Sequence, residues 1–265
     1  MAARYEEIAE DLRRRITDGE WPTGATLPDY QALCQHYDTS RLTLQSAVDR
    51  LQTLGLIRPH RGKGLVVRDP GPRWTVSRTG QVDRDSARGY ILPFSPPPGE
   101  PWEAHEGPRL TRAAPPGDIA AHLGVPEDQE LCRIRRCVGP QGQAPLVLHD
   151  VWLTLTAETD APQAAQLPPG PGGHLDRIEQ AGHGPLRWSL AETARLPTRT
   201  EARALEMPQA VPVHQVLAVG TSARSGLPLL VEASVIPADR LVTVSVLERT
   251  DRARWPVNPA APPLP

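Results

Sequence analysis

Residues 40–68 read SRLTLQSAVDRLQTLGLIRPHRGKGLVVR, and this stretch decides the fold of the N-terminal region. Ser40 is a favourable N-cap, and apolar residues follow it at helical spacing until Gly55 ends the pattern. Two short β-rich runs then flank a tight, glycine-bearing turn at 61–64. The stretch therefore predicts one helix followed directly by a β-hairpin.

Two further helices are predicted ahead of this stretch. Apolar residues recur at helical spacing over 5–16, and Gly19 and Pro22 stop that segment. Asp29 is a favourable N-cap for a second helix, which ends at a short break over 38–40. The order of helix, helix, short turn, helix and hairpin is that of a winged helix-turn-helix, in which the helix after the turn enters the major groove of DNA.

The positive charge of this region is concentrated in the third helix and the hairpin. The whole chain carries a formal charge of −2, which excludes a globally basic nucleic-acid binder. Between residues 40 and 68, however, six basic residues stand against one acidic residue, Asp49. Glycines on both sides of Lys63, the only lysine of the chain, let the backbone approach DNA closely. This local segregation is the charge pattern of a DNA-binding surface.

The first residues of the third helix are the candidates for base recognition. Arg41 can pair bidentately with guanine and Gln45 with adenine, while Leu42 can contact a thymine methyl group. The cap at Ser40 leaves backbone N–H groups that suit a phosphate. The full set of predicted DNA-binding residues comprises Tyr5, Gln31, Ser40, Arg41, Thr43, Gln45, Arg50, Arg61, Gly62, Lys63 and Gly64.

The larger C-terminal region contains an internal repeat. A helical segment that ends near Leu123 matches a second one that ends near Leu205, and two β-rich runs joined by a glycine-bearing turn follow each copy. Together with runs near Leu190 and over 241–247, the two copies predict one mostly antiparallel sheet with helices at its edge. The fold class is therefore α+β.

Composition along the chain sets the predicted domain boundaries. A segment rich in proline, glycine and charge separates the two regions, with one strand expected around Tyr90–Leu92. The predicted units are the winged helix-turn-helix over 1–69, a linker over 70–109, the sheet domain over 110–250 and a disordered tail over 251–265.

The composition and length of the chain exclude several classes of protein. The chain has 265 residues, no apolar run of 18 residues and no apolar segment near its start, which predicts a cytoplasmic protein without a membrane span. Its three cysteines are too few and too scattered for a disulfide framework or a zinc site. Cys132 and Cys137 are five apart on one predicted strand and are expected on opposite faces, as inert thiols. We predict no metal and no cofactor.

These motifs carry a family resemblance across most of the chain. The N-terminal pieces resemble the DNA-binding domain of the GntR family, and those after 110 resemble the UTRA effector domain of its HutC subfamily. The N-terminal pieces are Tyr5-x-x-Ile8-Ala9, Pro22-x-Gly24-x-x-Leu27-Pro28, Ser40-Arg41-x-Thr43-Leu44, Gly55-Leu56-Ile57 and Gly62-Lys63-Gly64. The C-terminal pieces are Ala114-Pro115-Pro116, Leu123-Gly124, Glu192-x-x-Arg195-x-Pro197-Thr198, Gly226-x-Pro228-x-x-x-Glu232 and Pro237-x-Asp239-Arg240. The resemblance implies a chorismate-lyase-like fold that binds a small effector.

The same resemblance implies an effector site. Its predicted residues are Arg136, His149, Trp152, Glu192 and Glu232. The chain departs from the family pattern at 29–31, where Asp-Tyr-Gln replaces the usual Ser-Glu-Arg, and in the recognition helix, where Gln45 replaces an arginine. The arginine of the second repeat is also absent, with Val219 near its place, which argues against a phosphate held by two arginines.

The sequence thus predicts an effector-responsive, sequence-specific transcriptional regulator. We expect a repressor that acts as a homodimer on a near-palindromic operator of double-stranded DNA, and whose affinity for it changes when a small molecule binds the second domain. One alternative is a DNA-binding dimer whose second domain senses nothing, which the proline-rich stretch over 168–173 and the missing arginine leave open. An enzyme is disfavoured, since no nucleophile–base pair is apparent.

Overall fold

The computed structural model describes residues 3–78, 82–85, 89–96, 99–168, 173–250 and 253. The predicted helix-turn-helix and hairpin are confirmed. Its elements are α1 (Arg4–Thr17), α2 (Tyr30–Tyr37), α3 (Arg41–Thr53), β1 (Ile57–His60) and β2 (Gly64–Val67). Antiparallel β1 and β2 form the hairpin, or wing.

The helix ends follow the capping residues of the sequence. The Asp29 carboxylate accepts a hydrogen bond from the backbone N–H of Ala32 at 2.8 Å, and α2 ends at Asp38 in a left-handed conformation. The Ser40 hydroxyl accepts from the backbone N–H of Thr43 at 3.2 Å and so fixes the start of α3. The three helices and the wing enclose one apolar core, which includes Ile8, Leu12, Leu33, Leu44, Leu51 and Ile57.

A six-stranded antiparallel sheet forms the second domain. Its spatial order is β6-β7-β8-β11-β10-β9. The strands are β6 (Trp102–Ala113), β7 (Leu131–Pro140), β8 (Val147–Leu153), β9 (Arg187–Arg195), β10 (Val213–Thr221) and β11 (Pro228–Pro237). None of the helices in the described part of the chain is long and apolar enough to cross a membrane.

The predicted repeat is visible in this sheet. α4 (Gly117–Leu123) leads into the hairpin of β7 and β8, and α7 (Arg199–Ala204) leads into the hairpin of β10 and β11. The two hairpins meet where β8 pairs with β11, at the centre of the sheet. The repeat therefore places equivalent strands on either side of the middle of the domain.

Side chains alternate between two faces of the sheet, and the two faces have different cover. On one face, α4 and α7 pack over residues that include Cys137, Leu148, Trp152 and Val235. On the other face, α5 (Leu155–Asp160) and α6 (Gly173–Ile178) pack over one end, against residues that include Cys132 and Leu153. The expectation that Cys132 and Cys137 lie buried on opposite faces is confirmed.

The segment expected as a linker contains more structure than the sequence suggested. It holds β3 (Trp74–Arg78), β4 (Asp83–Asp85), β5 (Gly89–Ile91) and the first eight residues of β6. Val76 and Phe94 are buried against sheet residues that include Val147, Val216 and Ile236, so this segment is packed on the second domain. We call its described residues from 70 to 96 the arm. The domain boundaries remain predictions, and the expected tail over 251–265 lies outside the described residues apart from Ala253.

The last strand is not part of the main sheet, and this expectation is wrong. The run over 241–247 forms β12 (Leu241–Ser245), which pairs in parallel with β3 in a separate two-stranded sheet. The cause is the helical turn Ala238–Arg240, which redirects the chain immediately after β11. β12 therefore holds the arm.

The residues on either side of the wing contact the second domain. The Arg68 guanidinium lies 2.5 Å from the Asp239 carboxylate, and both side chains are mostly buried. Gly55, with φ of +72°, lies so close to Val211 and Pro208 that a Cβ atom there would be 2.9 Å from the Val211 side chain. The two domains are therefore in direct contact where the chain enters and leaves the wing.

Candidate DNA-binding surface and ligand cleft

The N-terminus of α3 presents an exposed polar and apolar surface. The hydroxyls of Ser40 and Thr43 are 2.9 Å apart at the cap. Arg41 is exposed, and Leu42 is 82% exposed, which is unusual for a large apolar side chain. Side chains of this kind beside free backbone N–H groups suit insertion into a groove of DNA.

Arg41 and Gln45, the two residues predicted to pair with bases, differ in whether their polar groups already have a partner. The Arg41 guanidinium lies over the Tyr30 ring at 5.8 Å, and no described residue forms an ion pair with it. The Gln45 amide nitrogen donates to the Asp49 carboxylate at 2.7 Å. Arg41 is therefore free to pair with a base, whereas Gln45 must first leave Asp49.

The wing extends its basic turn into solvent. Arg61 and Lys63 are exposed, and Gly62 and Gly64 adopt φ of +84° and +83° with open space around each. Only glycine adopts these angles without strain. The turn is therefore shaped by its glycines, and its cations are unobstructed.

Three other predicted DNA-binding residues lie elsewhere on the domain. Gln31 is exposed at the start of α2. Tyr5 is half-buried against the core, and its hydroxyl donates to the Glu6 carboxylate at 3.2 Å. Arg50 lines a groove with Glu6 and Glu10 of α1, nine residues after Arg41 and so about 14 Å along the helix. The structure does not bring Tyr5 and Arg50 to the cap of α3.

The second domain has a cleft over the sheet face that α4 and α7 leave uncovered. The cleft lies between the arm and the α5–α6 side. Arg136 of β7 and His149 of β8 are paired across neighbouring strands on its floor. Glu232 of β11 lies on the same face, with its carboxylate 3.3 Å from His149 Nε2 and 2.8 Å from His174 Nε2. Three of the predicted effector residues thus share one floor.

The carboxylate of Glu232 is ionised in this arrangement. Burial acts to raise its pKa, but the hydrogen bonds from His149 and His174 outweigh burial and hold the pKa well below its ordinary value. Burial and the nearby Arg136 lower the pKa of His149. We therefore assign His149 as neutral, with the proton on Nε2, because a carboxylate can only accept a hydrogen bond.

Glu192 faces the same way but is already engaged. It lies on β9, one strand beyond β10, where its carboxylate is 2.8 Å from His214 Nε2 and also pairs with Arg78 of the arm. Glu192 therefore attaches the arm to the sheet.

Trp152 does not belong to the cleft, and its assignment to the effector site is a misplacement that the structure corrects. It is 2% exposed and packs beneath α4 on the opposite face, with the Arg133 guanidinium 5.1 Å from its ring. The physical reason is the alternation of a strand: Trp152 follows His149 by three residues, an odd number, so the two side chains point to opposite faces.

Sequence reasoning missed the residues that complete the cleft. His174, Phe94 and Arg78 come from the proline- and glycine-rich segments, which carried no periodic pattern. His214 of β10 lay in a recognised strand, but its partner Glu192 is distant in sequence. No local signal identifies any of these four.

Known proteins match both domains. A family described as bacterial regulatory proteins of the gntR family matches residues 4–67, and the UTRA domain family matches 109–241, half of the chain. An uncharacterized HTH-type transcriptional regulator of Streptomyces coelicolor is 25% identical over 211 residues, which cover 78% of each chain. The mannosyl-D-glycerate transport/metabolism system repressor of Escherichia coli is 22% identical over 157 residues, 59% of this chain and 60% of that protein.

Other similarities are shorter or concern the fold alone. Several curated relatives match over about 65 residues, and this chain spans only 13–27% of their length. A solved structure named as a GntR-family transcriptional regulator has a TM-score of 0.55 at 20% identity, over 94% of this chain and 98% of that one. The named relatives are regulators and not enzymes.

Proposed function

Since the chain belongs to the GntR family of bacterial regulatory proteins and carries a UTRA domain, we propose that this transcriptional regulator is a repressor whose affinity for its operator is set by a small molecule in the cleft. The observation that carries the proposal is the cleft itself. Its floor holds an ionised, buried carboxylate, a neutral histidine and an exposed arginine, in a domain that directly contacts the winged domain.

The DNA-binding side of the proposal uses two surfaces. Arg41 and Leu42 at the start of α3 read base edges in the major groove, and the exposed cations of the wing hold phosphates. A homodimer places two copies of α3 about one helical turn of DNA apart, so the operator is a near-palindrome. The name of the Escherichia coli relative, a repressor, supports repression as the outcome of binding.

The sensing side uses two connections between the cleft and the wing. β11 carries Glu232 in the cleft and ends at Pro237, and two residues later Asp239 pairs with Arg68, which directly follows the wing. The arm begins after Arg68 and reaches the floor of the cleft through the pair of Arg78 with Glu192. A ligand that binds one arrangement of these connections better than another changes the affinity for DNA by the same coupling free energy, typically about 1–3 kcal/mol.

The test is selection of genomic DNA fragments on the purified full chain at about 150 mM salt, where non-specific binding to phosphates is weak. Arg41→Ala is the test variant, and Arg14→Ala, an exposed arginine of α1 paired with Asp11, is the matched control. We expect the wild type and the control to recover one short near-palindrome that Arg41→Ala loses. Recovery of the same motif by all three proteins would contradict the assignment of α3.

The sensing half is tested on the selected operator. Metabolite fractions are added to the complex, and DNA affinity is measured by fluorescence anisotropy with wild type and with Arg136→Ala. We expect a fraction that shifts the affinity of the wild type about fivefold or more and leaves the variant unchanged. Specific DNA binding that no fraction alters would favour the alternative, a dimer whose second domain does not sense.

A further inference from the structure

Among the described residues of the cleft, one cation is uncompensated. Arg136 is exposed on the floor, and no described residue forms an ion pair with it. Its neighbours on β7, Arg133 and Arg135, point to the opposite face, where both donate to the Asp150 carboxylate at 2.7–3.0 Å. Arg136 therefore has its full hydrogen-bonding capacity available to a ligand, whereas the adjacent arginines are used by the fold.

A second polar group of the floor is also unused. His149 is 7% exposed, and its Nδ1 is buried and has no hydrogen-bond partner among the described residues. Because Nε2 donates to Glu232, Nδ1 of the neutral ring is an acceptor. A buried acceptor without a partner is unfavourable, and a donor on a ligand would satisfy it.

The remaining lining of the cleft beside these two groups is apolar. The space next to Arg136 and His149 has a volume of about 560 Å³, within the ordinary range for small-molecule sites. Its other lining residues, apart from His174, are Ala104, Pro108, Ile134, Val138, Val151, Leu167 and Pro168. Such walls favour a ligand with an apolar body and do not supply the hydrogen bonds that a sugar requires.

The balance of charge on the floor limits the charge of the ligand. The Glu232 carboxylate lies on the same face as Arg136, and the Glu192 carboxylate is matched by Arg78. Val219, which is near the position where the family has its second arginine, lies in the core beneath α4. Its neighbour Ala218 faces the cleft and supplies no charge there. A dianion would leave one charge without a partner in a partly buried site, whereas a monoanion is matched by Arg136.

We infer that the cleft binds an organic monoanion: a carboxylate on an apolar body, with a hydroxyl or N–H group that donates to His149. This inference rests on the proposed sensing function and gives the chemical class of the effector. The carboxylate pairs with Arg136 in the bidentate geometry that suits a guanidinium, the apolar body lies along Ile134, Val138 and Val151, and the donor reaches Nδ1.

The test is calorimetric titration of the full chain with three matched probes and one contrasting probe. The probes are 3-phenyllactate, its amide, which lacks the charge, 3-phenylpropionate, which lacks the hydroxyl, and glucose 6-phosphate, a polar dianion. We expect 3-phenyllactate to bind most tightly. Loss of the charge is expected to weaken binding about tenfold or more, and loss of the hydroxyl about threefold.

The protein variants give an independent measurement. Arg136→Ala is expected to bind 3-phenyllactate about tenfold or more weakly. Arg187→Ala, a change at an exposed arginine on the other face of β9, is expected to bind like wild type. The inference is overturned if glucose 6-phosphate binds more tightly than 3-phenyllactate, if the amide binds as well as the acid, if the two variants behave alike, or if no probe binds.

Failure of this inference and failure of the proposed function are distinguishable. Binding of glucose 6-phosphate with a change in DNA affinity would overturn the monoanion and keep the sensor. A regulator whose DNA affinity responds to no metabolite fraction would overturn the sensor itself.

Discussion

Replacing Gly55 by alanine tests whether the DNA-binding domain is packed against the sheet domain as the structure shows. The new Cβ atom would lie 2.9 Å from the Val211 side chain and 3.0 Å from the Pro208 ring, well inside the ordinary contact distance of about 3.5–4.0 Å. Neither a buried valine nor a proline ring moves away easily. The substitution therefore has two costs: the strain of an alanine in the left-handed conformation and the overpacking of its Cβ atom against the second domain.

Gly19→Ala isolates the cost of the backbone alone. Gly19 follows α1 as Gly55 follows α3, and its φ of +82° compares with +72° at Gly55, but no atom lies within 4 Å of its Cβ position. The left-handed conformation costs about 1–2 kcal/mol at either site. Overpacking adds about 1–3 kcal/mol at Gly55 only. We therefore expect Gly55→Ala to lower the free energy of unfolding by about 1–3 kcal/mol more than Gly19→Ala does.

The assay is urea unfolding of both variants and the wild type, followed by far-ultraviolet circular dichroism. Limited proteolysis of the arm, at equal protein concentration, reports whether the domains separate. We expect faster cleavage in Gly55→Ala only, because separation relieves the clash. Equal stability losses and equal cleavage rates for the two variants would refute the domain contact.

Three further predictions concern the wing, a partly buried ion pair and the thiols. Lys63→Ala should weaken binding to all DNA sequences alike and lower the slope of log affinity against log salt by about 1, measured by anisotropy titration from low to high salt. Glu201→Gln should lower the free energy of unfolding at pH 7 by about 1.5–3 kcal/mol, because it removes the charge that faces Arg195 at 2.6 Å but keeps a capping side chain. Burial acts to raise the pKa of Glu201, but Arg195 holds that pKa below its ordinary value. The difference in the free energy of unfolding between variant and wild type should therefore be full above pH 4.5 and shrink as the pH falls below 4.5. Urea midpoints that differ equally at all pH values would contradict this. Burial raises the pKa of Cys132 and of Cys137 to about 11. Both should therefore react with iodoacetamide at pH 8 about a hundredfold more slowly than a cysteine in a short peptide. Comparable reaction rates, measured by mass spectrometry, would contradict their burial.

The features that the sequence predicted well are those set by local interactions. The caps at Asp29 and Ser40 act within three residues, and the helical and strand periods of the repeat are each visible in a short window. The winged domain and the paired helix–hairpin units follow from such patterns. The residues at the start of α3 and in the turn of the wing are exposed at the ends of these elements for the same reason, and their role in binding DNA stays a prediction.

The features that it missed depend on contacts between distant segments. β3 pairs with β12, which lies more than 160 residues later in the chain. No local sequence pattern in the proline-rich segment around β3 predicts this pairing. His174 and Glu232 meet in the same way. The placement of Trp152 beside His149 is a different kind of error, since strand alternation already excludes it.

The parallel pair of β3 with β12 has a consequence for the order of events during synthesis. The ribosome releases β3 soon after the winged domain, but β12 follows 167 residues later, roughly 10–30 s at ordinary elongation rates. A nascent chain therefore contains the complete winged domain before β12 is available to pair with β3 of the arm. A chain that stops before residue 241 would keep the pairs of Arg68 with Asp239 and of Arg78 with Glu192, but its arm would lack the partner strand of β3.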